Sequence, residues 1–175
     1  MSESRKIRDK ILKYLKGKSV LDIGCGDERI VPWADGADDG REWPKPPAAI
    51  TINAPVDPDS KGLDFLHSRP GGGYFNTVFS SHTLEHIRAP VIETLHYWLC
   101  FVEPGGHLVL YLPDERYYVY DVKNRKARNP THRHYLTYDT FIWYLQQIPG
   151  IIMKEYCQDV GRDRYSFLVV IQRKK

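Results

Sequence analysis

Three groups of residues in this chain have types and spacings that could do chemistry. His82-Thr83-Leu84-Glu85-His86 reads H-x-x-E-H, the spacing of an inverted zinc-protease helix. Asp22 stands two residues before Gly24-Cys25-Gly26, a turn in which glycines admit a ligand close to the backbone and the following amides can meet an anion. Asp38, sixteen residues after Asp22, lies where a second strand is expected to end, so its carboxylate could accept both hydroxyls of a ribose, with Asp39 as the neighbouring candidate. A further cluster, Thr131-His132-Arg133-His134-Tyr135, closes a long polar and aromatic stretch.

The elements that must position these residues follow from periodicity. Ile7, Ile11 and Leu15 form one helical stripe that Gly17 ends. "SVLDI" (19–23) is a short buried strand running into the glycine turn, and "AAITIN" (48–53) and "NTVFSS" (76–81) are the next strand-like pieces. Pro90 opens a helix carrying Val91, Leu95, Trp98, Leu99 and Val102, which stops at "EPGG". "HLVLYL" (107–112) is a strand ended by Pro113, and Thr137 can cap a helix with Phe141, Leu145 and Ile148. "IIMKEYC" (151–157) and "YSFLVVIQ" (165–172) have no helix between them and should pair as an antiparallel hairpin at a sheet edge. Strands alternating with helices imply right-handed crossovers and a mostly parallel α/β sheet in a single domain spanning 1–175.

Composition excludes several classes. A formal net charge of +3 gives no case for a nucleic-acid partner, although seven basic residues crowd positions 5–18, either as the solvated face of a first helix or as a patch that attracts an anionic substrate or membrane surface. Cys25, Cys100 and Cys157 are far apart and odd in number, so neither a disulfide framework nor a zinc ribbon is expected and a reducing cytoplasm fits. The N-terminus lacks the apolar core of a signal peptide, and no apolar run approaches the ~18 residues of a membrane span.

"LDIGCG" (21–26), "SSHTLEH" (80–86) and "PGGHLVLYLP" (104–113), in this order, resemble the class I S-adenosylmethionine-dependent methyltransferases, in a small branch carrying SSH-x-LEH. The likeness covers roughly residues 19–172. It implies a Rossmann-like seven-stranded sheet, mostly parallel with a C-terminal antiparallel hairpin and helices on both faces. Its cofactor would be S-adenosylmethionine, leaving as S-adenosylhomocysteine. Residue by residue, it implies that Asp22 faces the amino group of the methionine moiety, that Gly24, Cys25 and Gly26 line that moiety, and that Asp38 holds the ribose. Ser80, Ser81 and His82 would flank the sulfonium. The chain departs from the pattern at Asn76, where an acid is usual, and at Glu28, where a third glycine is common. The stretch from Gly26 to Asp38 is short, so the first crossover helix is expected to be trimmed. For the adenine contact, Asn53, Asp57 and Asp64 compete.

In that frame "SSHTLEH" is the end of a strand, and Pro90 so soon after His86 argues against a protease helix. His82, Glu85 and His86 would suit a transition metal better than Mg²⁺. The expected role of Glu85 and His86 is nevertheless to pin the loop by hydrogen bonds, with no metal ligand. Methyl transfer from a sulfonium needs chiefly alignment, and a base only if the acceptor is a hydroxyl. His132 and His134 are the first candidates for that base and His82 the next, with Arg133 anchoring an anionic group. The expected acceptor is a sugar, glycan or other small-molecule hydroxyl. The alternatives are a cofactor-binding protein without catalysis, an H-x-x-E-H hydrolase, and a nicotinamide-dependent reductase, which Arg29 in the third glycine position of G-x-G-x-x-G opposes.

Overall fold

The computed structural model describes residues 3–26, 28–38, 51–53, 56, 58–68, 72–118, 129–161 and 164–175. The chain runs α1 (Glu3–Leu15), β1 (Val20–Ile23), β2 (Asp35–Asp38), β3 (Thr51–Asn53), β4 (Phe75–Ser81), α2 (Val91–Leu99), β5 (Val102–Pro113), α3 (Tyr138–Gln146), β6 (Ile151–Gly161) and β7 (Arg164–Arg173). The strands make one seven-stranded sheet in the order β3-β2-β1-β4-β5-β7-β6. β1 to β5 pair in parallel, and β7 runs antiparallel to both β5 and β6.

Side-chain alternation explains how the sheet is covered on two sides. Val109 and Tyr111 of β5, with Leu168 and Val170 of β7, face the apolar stripe Ile7, Ile11 and Leu15 of α1. Leu108, Leu110 and Leu112, with Phe167, Val169 and Ile171, point the other way onto α2 and α3. Both faces are apolar, as central strands of a parallel sheet require. α3 begins in a reciprocal cap: Thr137 Oγ1 accepts from Thr140 N–H, and Thr140 Oγ1 accepts from Thr137 N–H. Among the described residues no helix is long and apolar enough to cross a membrane.

Two boundaries differ from the sequence reading. Val102 continues the helical spacing of α2 but lies in β5, because the helix stops at Leu99 and the chain reverses at Cys100 and Phe101. The C-terminal hairpin is tighter than expected: "QDVG" is strand, with Asp159 opposite Ser166 and Gly161 opposite Arg164. Between β1 and β2, residues 24–34 contain no helix among those described. Ile30, Val31 and Ala34 from this stretch instead pack beneath α1, which covers the face that a crossover helix would otherwise occupy.

Candidate active site

The strand register brings the sequence-predicted residues to one edge. Ile23, the last residue of β1, is level with Ala37 of β2 and Ser80 of β4, and Ser81 is level with Tyr111 of β5. The glycine turn, Asp38 and Ser81-His82 therefore all emerge at the carboxyl ends of parallel strands, where ligands bind in open α/β sheets. Asn76 lies at the opposite end of β4, where Thr77 is level with Val20. Its Oδ1 accepts from the Ser19 N–H and hydroxyl, and its amide donates to Glu103, so it ties strand starts together and is remote from the ligand-facing edge.

The turn is held from both sides. Gly24 N–H donates to Ala37 O at 2.7 Å, and Gly26 N–H donates to Asp38 Oδ2 at 3.0 Å. Gly24 and Gly26 both have positive φ, +72° and +56°. Asp22 is buried and accepts the Ile30 N–H at 2.5 Å, closing the base of the loop. Burial pushes its carboxyl up to about 8, against the opposing pull of the Ile30 N–H and of Arg29. The Cys25 thiol, pushed up to about 12 by burial and by the Asp22 and Asp38 charges, is not suited to be a nucleophile. Glu28, in the third-glycine position, pairs with Arg5 at 2.6 Å and Arg8 at 3.4 Å of α1. Asp39 and Asp57 lie outside the described residues; Asn53 ends β3 level with Asp38, and Asp64 begins a 3₁₀ turn.

On the other wall, Ser80 is fully buried, and the hydroxyl oxygens of Ser80 and Ser81 have no hydrogen-bond partner among the described residues. Buried hydroxyls are normally bonded, so orphaned ones at a strand end suit a polar ligand. Thr83, which the sequence did not single out, donates to Ser81 O at 3.1 Å and reaches Ile23 O at 3.4 Å, clasping this loop to the end of β1.

His82 adopts φ +50° while its N–H extends the ladder to Tyr111 O at 2.9 Å. Its Nε2 is 2.9 Å from Ser166 Oγ, and Tyr111 and Tyr165 flank the ring. Burial, then the positive potential of His132, Lys6 and His86, lowers its pKa to about 3. An imidazole that weakly basic positions neighbours and removes no proton at neutral pH. His134 is likewise committed, donating from Nε2 to Ala89 O at 3.0 Å.

His132 is buried, with Nδ1 hydrogen-bonded to Glu115, the second residue after β5. Its ring meets His86 edge-on, centroids 4.8 Å apart, and Tyr118 at 4.9 Å. Glu85 is fully buried, and burial pushes its carboxyl up to about 8. The expected pinning of the loop is made by its backbone: Glu85 O accepts the N–H groups of Arg133 at 2.6 Å and His134 at 3.2 Å. The side chain makes no hydrogen bond to another of the described residues, and Glu85, His86 and His132 offer donor atoms within 4.8 Å of one another. In the polar and aromatic stretch that Thr131–Tyr135 closes, Tyr117, Tyr135 and Arg133 are exposed, whereas Tyr120, Arg125, Lys126 and Arg128 lie outside the described residues.

A family model described as a methyltransferase domain matches residues 2–148. No curated protein matches. Among solved structures, an S-adenosylmethionine-dependent methyltransferase from Mesorhizobium loti aligns with TM-score 0.67 at 15% identity over 98% of each chain. One from Archaeoglobus fulgidus gives 0.64 at 16% over 98% of this chain and 95% of that one. The Burkholderia thailandensis 1,6-didemethyltoxoflavin-N1-methyltransferase, solved with its substrate and S-adenosylhomocysteine, gives 0.67 at 15% over 98% and 78%. At such identities the likeness is one of fold.

Proposed function

The chain belongs to the methyltransferase-domain family, and from that premise we propose that it transfers the methyl group of S-adenosylmethionine to a hydroxyl of a sugar, glycan or other small molecule, releasing S-adenosylhomocysteine. The observation that carries this reading is the convergence at one sheet edge of Asp22, the Gly24–Gly26 turn, Asp38 and the orphaned hydroxyls of Ser80 and Ser81. These residues fit such a cofactor: an acid for an ammonium group, open backbone for a carboxylate, and an acid at the end of β2 for ribose hydroxyls.

The cofactor, when bound, supplies a methyl group on a sulfonium. The chain's task is alignment, and the site is equipped for it. His82, fixed by Ser166 and by the Tyr111 carbonyl, and Thr83, fixed on Ser81 and Ile23, hold the loop after β4 rigidly beside the glycine turn. Of the three candidate bases, His82 has too little basicity and His134 is spent on a carbonyl. Activation of an acceptor hydroxyl therefore falls to the group beside His82, made of Glu85, His86 and His132; the 3.6 Å between His82 Nδ1 and Glu85 Oε1 places that group next to the cleft. An amine acceptor would need no such cluster, which favours a hydroxyl. A small molecule in the cytoplasm is favoured over nucleic acid by the modest net charge and by the pairing of Arg5, Arg8, Lys10 and Lys13 with acids. Of the two departures behind the non-catalytic alternative, Asn76 and the missing third glycine, Asn76 sits at the far end of β4 from the glycine turn.

The test is calorimetric titration with S-adenosylmethionine, S-adenosylhomocysteine and NAD, followed by a search for methylated product across hydroxyl and amine acceptors. Binding of the first two without NAD, and product on a hydroxyl, are the expected results. NAD binding without the others would overturn the reading, and product only on amines would overturn the acceptor.

A further inference from the structure

Glu85 poses a physical problem. A carboxyl with no solvent exposure and no hydrogen bond from another of the described residues is an expensive arrangement, because burial strips water and little beyond its own backbone N–H replaces it. The nearest imidazole nitrogens, His82 Nδ1 at 3.6 Å and His86 Nε2 at 3.9 Å, are beyond hydrogen-bond reach. Buried acids are kept where they are neutralised, where they are paired or where they coordinate a metal.

The surroundings favour coordination. Donor atoms of Glu85, His86 and His132 lie within 4.8 Å of one another, from two chain segments. Metal–ligand bonds of about 2.0–2.2 Å place tetrahedral donors roughly 3.4 Å apart, so an ion need draw these groups together only by about an ångström. The segments are already joined at the backbone, through the Arg133 and His134 amides on Glu85 O. The decisive feature is Glu115. Its side chain is almost fully buried and is hydrogen-bonded to His132 Nδ1; with Nδ1 as the donor in that bond, Nε2 is the nitrogen that would ligate. A carboxylate behind a histidine is the usual outer support of a metal-ligating imidazole. His82, engaged by Ser166 through Nε2, stands outside the set.

We propose that Glu85, His86 and His132 bind a divalent transition-metal ion of the zinc class, with Glu115 orienting His132. Two imidazoles and one carboxylate suit zinc or its first-row neighbours, whereas Mg²⁺ and Ca²⁺ prefer all-oxygen shells. Three protein ligands leave a coordination position for an added oxygen ligand. The site makes "LEH" a half-motif, completed by a histidine 46 positions beyond His86 and not by His82, four before it.

The test is zinc titration, by calorimetry, of protein stripped with chelator, with Mg²⁺ in parallel and a Co²⁺ titration followed by visible absorption. It reads metal binding and not turnover, so it stands or falls apart from the methyl-transfer reading. The expected result is one Zn²⁺ per chain, a Co²⁺ spectrum of low coordination number and no competition from Mg²⁺. Glu85→Gln and His132→Ala should each weaken zinc binding at least ~100-fold, and Glu115→Gln by roughly 10–100-fold through its hold on His132. Thermal melts with and without zinc guard against misfolding, since an ion bound only to the native state raises the wild-type melting temperature and leaves that of folded ligand variants unmoved. Absence of stoichiometric zinc binding in the wild type would overturn the site, as would undiminished affinity in both Glu85→Gln and His132→Ala.

Discussion

Gly24 and Thr83 share a space that a side chain would fill: a Cβ on Gly24 would come within 1.9 Å of Thr83 Oγ1 and 2.7 Å of its Cβ. The glycine turn and the loop after β4 thus interlock by backbone against hydroxyl. Gly24 also has φ +72°, so an alanine there meets strain and collision together. Gly24→Ala should destabilise the fold by roughly 2 kcal/mol or more. Made in a Thr83→Ala background, where Oγ1 and Cγ2 are gone, the same change should cost at least about 1 kcal/mol less. Urea unfolding of the four proteins measures this coupling. Equal costs in the two backgrounds would assign the whole effect to φ and dissolve the interlock.

Asp38 does two things that substitution can separate. Its Oδ2 accepts the Gly26 N–H at 3.0 Å, and its place at the end of β2 suits a ribose. Asp38→Ala removes both and should weaken S-adenosylmethionine binding at least ~10-fold, the effect of leaving polar groups unpaired. Asp38→Asn keeps an acceptor for Gly26 and should leave stability near wild type while still weakening the cofactor. Wild-type affinity in both variants, by calorimetry, would remove the ribose assignment.

Much of this arrangement was legible in the chain because β1, β4, β5 and β7 carry short apolar runs and the Gly24–Gly26 turn and Ser80-Ser81 sit at strand ends; β2, Asp-Gly-Ala-Asp, carries no such run. Ile7, Ile11 and Leu15 predicted α1 by spacing alone, and Thr137 predicted the cap of α3. Glu115 and His132 were not legible as a pair. They lie 17 positions apart across an irregular stretch, where no periodicity fixes which side chains meet. Val102 misled because it stands four residues after Trp98, a helical spacing that can run one residue into a buried strand. Asn76, the second residue of β4, is at the end of the strand opposite Ser81, so its departure in residue type falls away from the glycine turn.

Asp22 gives the apo protein a pH dependence of definite sign. Its ordinary value is 3.8 and its folded value about 8, raised by burial. Between those values the folded state retains a proton that the unfolded chain has released, so this group's contribution to stability declines as pH rises through the window. Asp22→Asn cannot lose that proton. Urea unfolding without cofactor at pH 5 and pH 8.5 should show the wild type losing more stability than the variant between the two. Parallel losses would mean that the carboxyl is ionised throughout. A ligand carrying an ammonium group should reverse the trend for the wild type, binding more tightly as pH rises towards 8 and releasing a proton below it.

Asp114 carries the opposite sign at the far side of the site. It is fully buried, and burial alone would push it up. Arg116, bonded through Nε at 2.9 Å and a terminal nitrogen at 2.7 Å, and the N–H groups of Tyr138 and Arg116 outweigh that and hold it below its ordinary 3.8. A depressed carboxyl contributes stability that is present above the unfolded value and lost as pH falls through the folded one. This carboxylate ties the start of α3 to the end of β5, immediately before Glu115, so it also braces the residue that orients His132. Asp114→Asn should cost about 1–3 kcal/mol at pH 7, the range for losing hydrogen bonds to a charged group. The gap between the two proteins should narrow as pH is lowered below 3.8, because the wild-type side chain then becomes neutral as well. Unfolding midpoints from pH 7 downwards measure it. A gap that stays constant in acid would show that the carboxylate's charge is not what holds this corner.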